Sequence, residues 1–349
     1  MSSIELQTMR FAINRLDMSS VDAFAASAAR AEGLGWDYGL IPCSPLLVRD
    51  PYVMLAFAAR ATRRIVLGTL LDTPVIRHPA ALASSIATVA ELAPGRTLLG
   101  LGVGDTAVRL NGLAPARVAT LERAVSDVRT LLAGRDLDVG AARPARLRHV
   151  HPASASRVPV WVAAQGPRAL RVAGAHADGV FIRVGTDPRN LARAYHQVRE
   201  GARAAGRRPE DVRVGAIFHV ALDDDPARAA TIAKAIAAGY YEYSAFLFDD
   251  IGLEWRGADV GVLKRQVFPD FHHARDLLEA GRLVEFLPRD AVDAFALHGS
   301  FADVAAGLER IRDVDVPIEI VLPHPMLAPN NSIDYLGEFA RHVIAPLRR

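Results

Sequence analysis

Three glycines alternate at the end of an apolar run and are followed by an acid in the segment LLGLGVGD, residues 98–105. Two kinds of site would use such a segment: a glycine-rich loop around a nucleotide phosphate, or the rim of another ligand site. A dinucleotide fingerprint needs a third glycine where Asp105 stands, and a carboxylate at that place repels phosphate. The segment therefore argues against a dinucleotide-binding loop.

Asp105 is predicted as a catalytic residue, and its chemistry depends on its partners. A buried carboxylate without a partner has a raised pKa, which suits a proton donor. A carboxylate paired with Arg109 or Arg183 stays ionised and only positions ligands. The structural alternative is that Asp105 caps the helix that follows it.

The remaining metal-ligating and nucleophilic side chains form no strong pattern. The histidines of HVH, residues 149–151, and HH, residues 272–273, lack carboxylates at metal-ligand spacing, so we expect solvated or loop histidines and no metal site. Cys43 is the single cysteine of the chain, which excludes an internal disulfide framework and a zinc site of the CxxC type.

Composition limits the setting in which this chemistry takes place. The chain has 349 residues, of which 51% are hydrophobic and 23% charged, so it can form two ordinary domains or one α/β barrel. The formal charge of +2, from 41 basic and 39 acidic residues, gives no field that favours nucleic acid. The segment MSSIELQTMRF lacks the apolar run of a signal peptide, and no run approaches the roughly 20 apolar residues of a membrane span. We therefore expect a cytoplasmic protein without nucleic-acid or membrane partners.

Short β-rich runs alternate with helical patterns along the chain. Helix start signals are Ser19-Ser20, Asp50-Pro51, Pro79, Asp187-Pro188 and Asp225-Pro226, and glycines such as Gly35, Gly134 and Gly206 stand where helices should stop. The eight predicted strands are Arg10 to Leu16, Asp37 to Ile41, Arg64 to Leu71, Arg96 to Gly102, Val158 to Ala164, Gly179 to Val184, Val212 to Leu222 and Ile318 to Leu322.

Eight strand–helix units favour closure into a barrel over an open doubly wound sheet. The predicted fold class is α/β, a (β/α)8 TIM barrel that forms a single domain over residues 1–349. The alternation breaks at about residues 244–300, a stretch too long for a simple connection. We interpret this stretch as an insertion near the seventh helix that forms a lid, a dimer element or extra packing helices.

In such a barrel the functional residues follow the carboxyl ends of the strands. Three of the residues found there, Asn14, His219 and His324, are predicted to contact the substrate. The strand-end residues are Asn14, Cys43, Ser44, Leu70 to Thr73, Gly102 to Asp105, Ala164 to Pro167, Arg183 to Gly185, Phe218, His219 and His324 to Met326.

Two long segments, residues 64–105 and residues 158–182, resemble the luciferase-like monooxygenase superfamily. The likeness is greatest to the branch that uses the deazaflavin coenzyme F-420, typified by methylenetetrahydromethanopterin reductase. The resemblance implies a barrel with an insertion, a flavin or deazaflavin across the strand ends, and a homodimer.

The resemblance also assigns cofactor contacts to particular residues. The loop AQGP, residues 164–167, would hold the cofactor phosphate with the helix that Pro167 opens, and Arg168 and Arg183 would add charge-assisted bonds. A non-prolyl cis peptide at Leu70-Leu71, in a bulge, would back the ring system. Glycine without a Cβ lets the backbone approach a flat ring closely. The residues expected to bind cofactor are Leu70, Leu71, Thr73, Gly102, Gly104, Ala164, Gln165, Gly166, Pro167 and Arg183.

The chain departs from its relatives at the end of the second strand. Many deazaflavin enzymes of the family carry an Asp-His pair where Cys43 and Ser44 stand here. Neither side chain is a good proton carrier at neutral pH without a shifted pKa, so a mechanism through that histidine is not carried over. Cys43 and Ser44 remain candidate catalytic residues, and a buried inert thiol is the structural alternative for Cys43.

Three classes of function follow. The first is a coenzyme F-420-dependent oxidoreductase that moves a hydride to or from a C=N, C=C or carbonyl carbon of a small molecule. The second is an FMN-dependent two-component monooxygenase, and the third a non-catalytic flavin-binding relative. The first two would need a separate protein, a cofactor-reducing dehydrogenase or a flavin reductase.

Overall fold

The computed structural model describes residues 9–150, 157–329 and 331–348. The predicted histidine at position 151 lies outside these residues. The strands are β1 (Arg10–Ile13), β2 (Tyr38–Ile41), β3 (Val66–Asp72), β4 (Thr97–Leu101), β5 (Val160–Ala164), β6 (Gly179–Ile182), β7 (Arg213–Leu222), β8 (Leu297–Gly299) and β9 (Ile318–Met326). The helices are α1 (Val21–Leu34), α2 (Pro51–Ala61), α3 (Pro79–Leu92), α4 (Thr106–Leu110), α5 (Val118–Leu132), α6 (Pro167–His176), α7 (Pro188–Ala204), α8 (Pro226–Ser244), α9 (Phe246–Asp249), α10 (Val260–Lys264), α11 (Leu277–Arg282), α12 (Arg289–Phe295), α13 (Phe301–Arg312), α14 (Tyr335–Phe339) and α15 (Ala345–Leu347).

Eight of these strands pair in the order β1 to β7 and then β9, which returns to β1 and closes the ring. The predicted (β/α)8 TIM barrel is therefore confirmed, and each predicted strand run corresponds to one strand of the ring. The sequence analysis missed β8, which lies outside the ring and pairs in parallel with β7 through Val220 and Leu297.

The predicted helix starts are confirmed by the capping hydrogen bonds. The side chains of Ser20, Asp50 and Asp225 accept from backbone N–H groups in the first turns of α1, α2 and α8. These bonds satisfy donors that have no partner within the helix. Gly35 ends α1 in the left-handed region, with φ of 93°, which glycine adopts without a steric penalty.

The chain separates into two compact units, of which the first comprises Met1–Phe11, Ile182–His196 and Gly215–Arg349. Within it, α8 packs on β8, α11 and α12. The ring of Phe248 stacks on that of Phe295 at 4.6 Å, and Tyr240 stacks on the same ring at 5.0 Å. The stretch 244–300, predicted as an insertion, forms the short helices α9 to α12 and strand β8 here.

The second unit comprises Ala12–Phe181 and Gln197–Val214. Its core includes Trp161, which is fully buried against Phe181 with 4.7 Å between the rings. Gly174 of α6 meets the later part of α7 so closely that an added Cβ would lie 2.0 Å from the carbonyl oxygen of Val198. None of the helices in the described ranges combines the length and apolar character required to cross a bilayer.

Candidate active site

A bulge interrupts the end of β3 in the second unit. The register between β3 and β4 shifts between Thr69 and Asp72, and the Leu70-Leu71 peptide is cis. Both features were predicted from the family resemblance, and both are present. Thr69 anchors the start of the bulge because its Oγ1 donates to the carbonyl oxygen of Gly100 at 2.9 Å and accepts from the N–H of Gly100 at 3.0 Å.

The alternating glycines of LGLGVGD are required by contacts with neighbouring residues. An added Cβ at Gly100 would lie 2.3 Å from the carbonyl oxygen of Thr69, and one at Gly102 would lie 2.7 Å from Cδ2 of Leu71. Gly104 has φ of 77°, in the left-handed region. Because glycine stands at these positions, β4 and the residues after it can lie directly against the bulge. This packing is a reason for the pattern that the sequence alone did not reveal.

Asp72, one of the predicted strand-end residues, is the centre of a buried polar network with Tyr52 and Arg77 that the sequence analysis did not predict. Its Oδ2 accepts from the Tyr52 hydroxyl at 2.9 Å, and its Oδ1 accepts from the N–H of Thr73 at 2.7 Å. Arg77 Nε lies 3.5 Å from Oδ2, and the Arg77 guanidinium also pairs with Asp50. A signal was available, because Asp72 is the polar residue at the end of an apolar strand.

Burial controls protonation in this network. Loss of solvent raises the pKa of Asp72 above its ordinary value, although Thr73, Tyr52 and Arg77 favour the ionised form. Burial also raises the pKa of the Tyr52 hydroxyl and of the Cys43 thiol, and the Asp72 carboxylate adds to both shifts. All three groups thus hold their protons more tightly than in water.

Cys43 and Ser44 follow β2 in this unit. Cys43 is buried, and its Sγ lies 3.9 Å from the carbonyl oxygen of Ile41. A raised thiol pKa lowers the thiolate fraction, so this environment does not activate the sulfur. The Ser44 carbonyl accepts from the N–H groups of Leu47 and Val48, both at 2.9 Å, and begins a turn.

Asp105 occupies the N-cap position of α4 but makes no side-chain capping bond. Its Oδ1 accepts from Nε of Arg109 at 2.6 Å, one turn further along the helix. Both side chains of this pair are partly exposed, at 38% for Asp105 and 61% for Arg109. Pairing with Arg109 is the arrangement that the sequence analysis associates with positioning a ligand and not with proton donation.

The AQGP loop joins β5 to α6. Ala164 ends the strand, Gly166 is the N-cap residue of the helix, and Pro167 is its first residue. No side chain caps this helix, and a Cβ at Gly166 would meet nothing within 4 Å. The N–H groups of Arg168 and Ala169 lie in the first turn of α6, where a helix offers no acceptor of its own, and such groups form an anion site at a helix start.

The first unit brings together three of the predicted residues, Arg183, His219 and His324. The rings of His219 and His324 meet edge to face at 5.4 Å. Two further residues complete the group: Tyr240 of α8, whose hydroxyl lies 3.1 Å from Nδ1 of His219, and His272, whose Nδ1 lies 2.9 Å from the guanidinium of Arg183. The HH pair had been predicted as loop histidines, and His272 is in fact buried.

The last predicted substrate residue, Asn14, follows β1 in the second unit and is half-buried. No group of three or more histidine, cysteine, aspartate or glutamate side chains arranged to hold a metal occurs among the residues that the structure describes.

The ring of parallel strands with polar residues at the strand ends defines a TIM-barrel protein with the features of a cofactor-binding enzyme. The family model described as luciferase-like monooxygenase matches residues 6–316. A 5,10-methylenetetrahydromethanopterin reductase of Methanolobus tindarius is 31% identical over 334 residues, which cover 93% of this chain and 96% of that protein. The chain therefore belongs to the luciferase-like monooxygenase family.

Two further similarities extend this result. An F-420-dependent glucose-6-phosphate dehydrogenase of Mycolicibacterium fortuitum is 34% identical over 178 residues, 47% of this chain and 52% of that protein. The solved structure of the coenzyme F-420-dependent tetrahydromethanopterin reductase from Methanopyrus kandleri superposes with a TM-score of 0.75 at 22% identity, covering 97% of this chain and 99% of that one. The structural match supports the fold alone.

Proposed function

We propose that the protein is a coenzyme F-420-dependent oxidoreductase that transfers a hydride between this cofactor and a small organic substrate. The relative from Methanolobus tindarius, a methylenetetrahydromethanopterin reductase, aligns over almost the whole of both chains. Other similar proteins are named as F-420-dependent dehydrogenases. The coenzyme in the names of these dehydrogenases supports a deazaflavin and not FMN.

The uncapped amino terminus of α6 is the observation that carries the proposal. Its first-turn N–H groups, together with the exposed side chain of Arg168, would hold the cofactor phosphate. Leu70 and Leu71 in the bulge and the glycine backbone at Gly102 would lie against the ring system. When bound, a deazaflavin supplies a two-electron hydride carrier.

The chain's own residues would then orient and enclose the reactants. The Asp72 network stabilises the bulge through bonds to Tyr52 and Thr73. Asp105, fixed by Arg109, would accept a hydrogen bond from a polar edge of the cofactor or substrate. In the first unit, His219 and His324 would contact the substrate.

We further propose a homodimer that acts in the cytoplasm. Val53 and Phe57 lie one turn apart on α2 and are 50% and 49% exposed, and the preceding loop exposes Leu46 and Leu47 at 64% and 63%. Apolar side chains grouped in this way are typical of a protein interface. Reduced cofactor would come from a separate dehydrogenase.

Fluorescence titration of the purified full-length chain tests the proposed function. We expect coenzyme F-420 to bind with a dissociation constant in the micromolar range or below, and NAD and NADP not to bind. FMN binding in that range without a response to coenzyme F-420 would overturn the assignment in favour of the monooxygenase class. A variant with Arg168→Glu should weaken cofactor binding about tenfold or more, whereas Arg341→Glu, which changes an exposed arginine paired with Glu338, should not.

A further inference from the structure

Four cationic or proton-binding side chains converge in the first unit, and we name Arg183, His219, His272 and His324 the histidine–arginine cluster. The rings of His219 and His272 stack in parallel, with centroids 4.8 Å apart and an interplanar angle of 5°. His324 meets the edge of His219 at 5.4 Å. The Arg183 guanidinium lies 2.9 Å from Nδ1 of His272.

The members of the cluster differ in their exposure to solvent. His219 and His272 are 4% and 2% exposed, whereas Arg183 and His324 are half-buried. An incoming ligand would therefore meet Arg183 and His324 first.

His272 reaches this cluster from the stretch that interrupts the strand–helix alternation. It lies in a single 3-10 turn, Phe271–His273, that Asp270 caps by accepting from the N–H of His273. Glu242 of α8 accepts from the N–H of Phe271 at 3.2 Å. Gly239 leaves room for the imidazole, since a Cβ there would lie 2.6 Å from it. These contacts hold the turn in place and thereby fix the position of His272.

Besides burial, the groups that shift the pKa of each buried imidazole most are Arg183 and the other histidines, and the nearby Glu242 carboxylate is paired with Lys264. Burial, and then His272, Arg183, His324 and His273, lower the pKa of His219 well below its ordinary value. Burial, and then Arg183, His273 and His324, lower the pKa of His272, with only the carbonyl of Ile236 opposing.

The carboxylate nearest in the chain does not offset these charges. Asp270 is bound to His273, with 2.8 Å between Oδ1 and Nδ1. The tyrosines packed on the imidazoles, Tyr240 and Tyr243, are neutral donors. Arg183 therefore supplies the charge of the cluster, and the lowered pKa of each buried imidazole favours its neutral form until an anion binds.

We propose that the histidine–arginine cluster recognises an anionic group, a carboxylate or a phosphate, on the substrate. This rests on the proposed function, and it assigns the substrate to the class of small organic anions. The planar donor fork of a guanidinium matches the oxygens of either group. An anion placed there also stabilises the protonated imidazoles, so binding takes up protons and strengthens as the pH falls.

Sulfate is a suitable probe because its charge does not change between about pH 6 and about pH 8. Isothermal calorimetry on the full-length protein without cofactor should show saturable sulfate binding that is about tenfold tighter at the lower pH. Arg183→Met should weaken it about tenfold or more, as loss of a charge-assisted bond does. Arg341→Met, which removes an exposed surface arginine, is the matched control and should bind sulfate as the unmodified chain does.

The same titration with the protein saturated in coenzyme F-420 distinguishes two sources of the anion. Unchanged sulfate affinity supports a substrate group, whereas mutual exclusion would show that the cluster takes the cofactor phosphate and would overturn the proposal. Absence of saturable sulfate binding would also overturn the proposal. So would unchanged sulfate affinity in both Arg183→Met and His324→Gln. Failure to bind coenzyme F-420 would contradict the proposed function alone, because the cofactor-free arm still tests the cluster.

Discussion

Replacement of Asp72 by alanine should destabilise the protein strongly. The carboxylate accepts from the Tyr52 hydroxyl at 2.9 Å and the Thr73 N–H at 2.7 Å, and both partners are buried. A buried donor left without an acceptor costs about 1–3 kcal/mol, so two of them cost about 2–6 kcal/mol before any relaxation. Relief of the burial of an acid offsets part of this cost, and we expect Asp72→Ala to lower the free energy of unfolding by about 3 kcal/mol.

Asp72→Asn separates hydrogen bonding from shape and charge. The amide keeps one acceptor oxygen for Thr73, and its NH2 can donate to the oxygen of Tyr52, so we expect a loss of only about 1 kcal/mol. Equilibrium urea unfolding followed by circular dichroism measures both variants. A loss below about 1 kcal/mol for Asp72→Ala, or equal losses for the two variants, would refute this account of the network. Asp136→Ala removes an exposed aspartate paired with Arg146 and should leave the unfolding curve unchanged.

The difference in stability between the unmodified protein and Asp72→Asn should depend on pH. Because burial raises the pKa of Asp72 in the folded state above its ordinary value of 3.8, the protonated form is favoured by folding. That contribution is fully present below the ordinary value and is lost as the pH rises through the folded pKa. The unfolding free energy of the unmodified protein, relative to that of Asp72→Asn, should therefore fall as the pH rises. An increase in this difference with pH would contradict the raised pKa of Asp72.

Three further predictions follow from other contacts. Asp105→Asn should keep turnover within about tenfold, because an aspartate paired with Arg109 positions ligands; a loss of about a hundredfold or more would instead identify a proton carrier. Gly100→Ala should cost about 1–3 kcal/mol of unfolding free energy, since its Cβ would lie 2.3 Å from a carbonyl oxygen of β3. The control Gly33→Ala, in open space on α1, should stabilise the protein by about 0.5–1 kcal/mol. Phe57→Glu should convert a dimer into a monomer in size-exclusion chromatography with light scattering, and a monomeric unmodified protein would exclude the proposed interface.

The features predicted correctly from sequence are those with local causes. Helix starts such as Asp50-Pro51 could be identified because the capping side chain and the N–H groups that donate to it lie within a few residues. Each ring strand lies in an apolar run between turn signals, whereas β8 has three residues and no such run. A strand that short is recognised only from its pairing with β7.

The missed site residues depend on contacts between distant segments. Tyr52 and Arg77 lie 20 and 5 positions from Asp72, and only the folded strand end brings all three side chains together. His272 reaches Arg183 across 89 positions through a turn whose place depends on Gly239 and Glu242. Hydrophobic periodicity contains no information on such pairs.

The buried Cys43 thiol allows local opening of the protein to be measured by chemical modification. Alkylating reagents attack the thiolate, and this thiol is enclosed and has a raised pKa. As it is the single cysteine of the chain, the rate of its modification measures how often the end of β2 opens to solvent. Comparison of that rate with and without a ligand would show whether the ligand reduces this opening, and the experiment needs no engineered label.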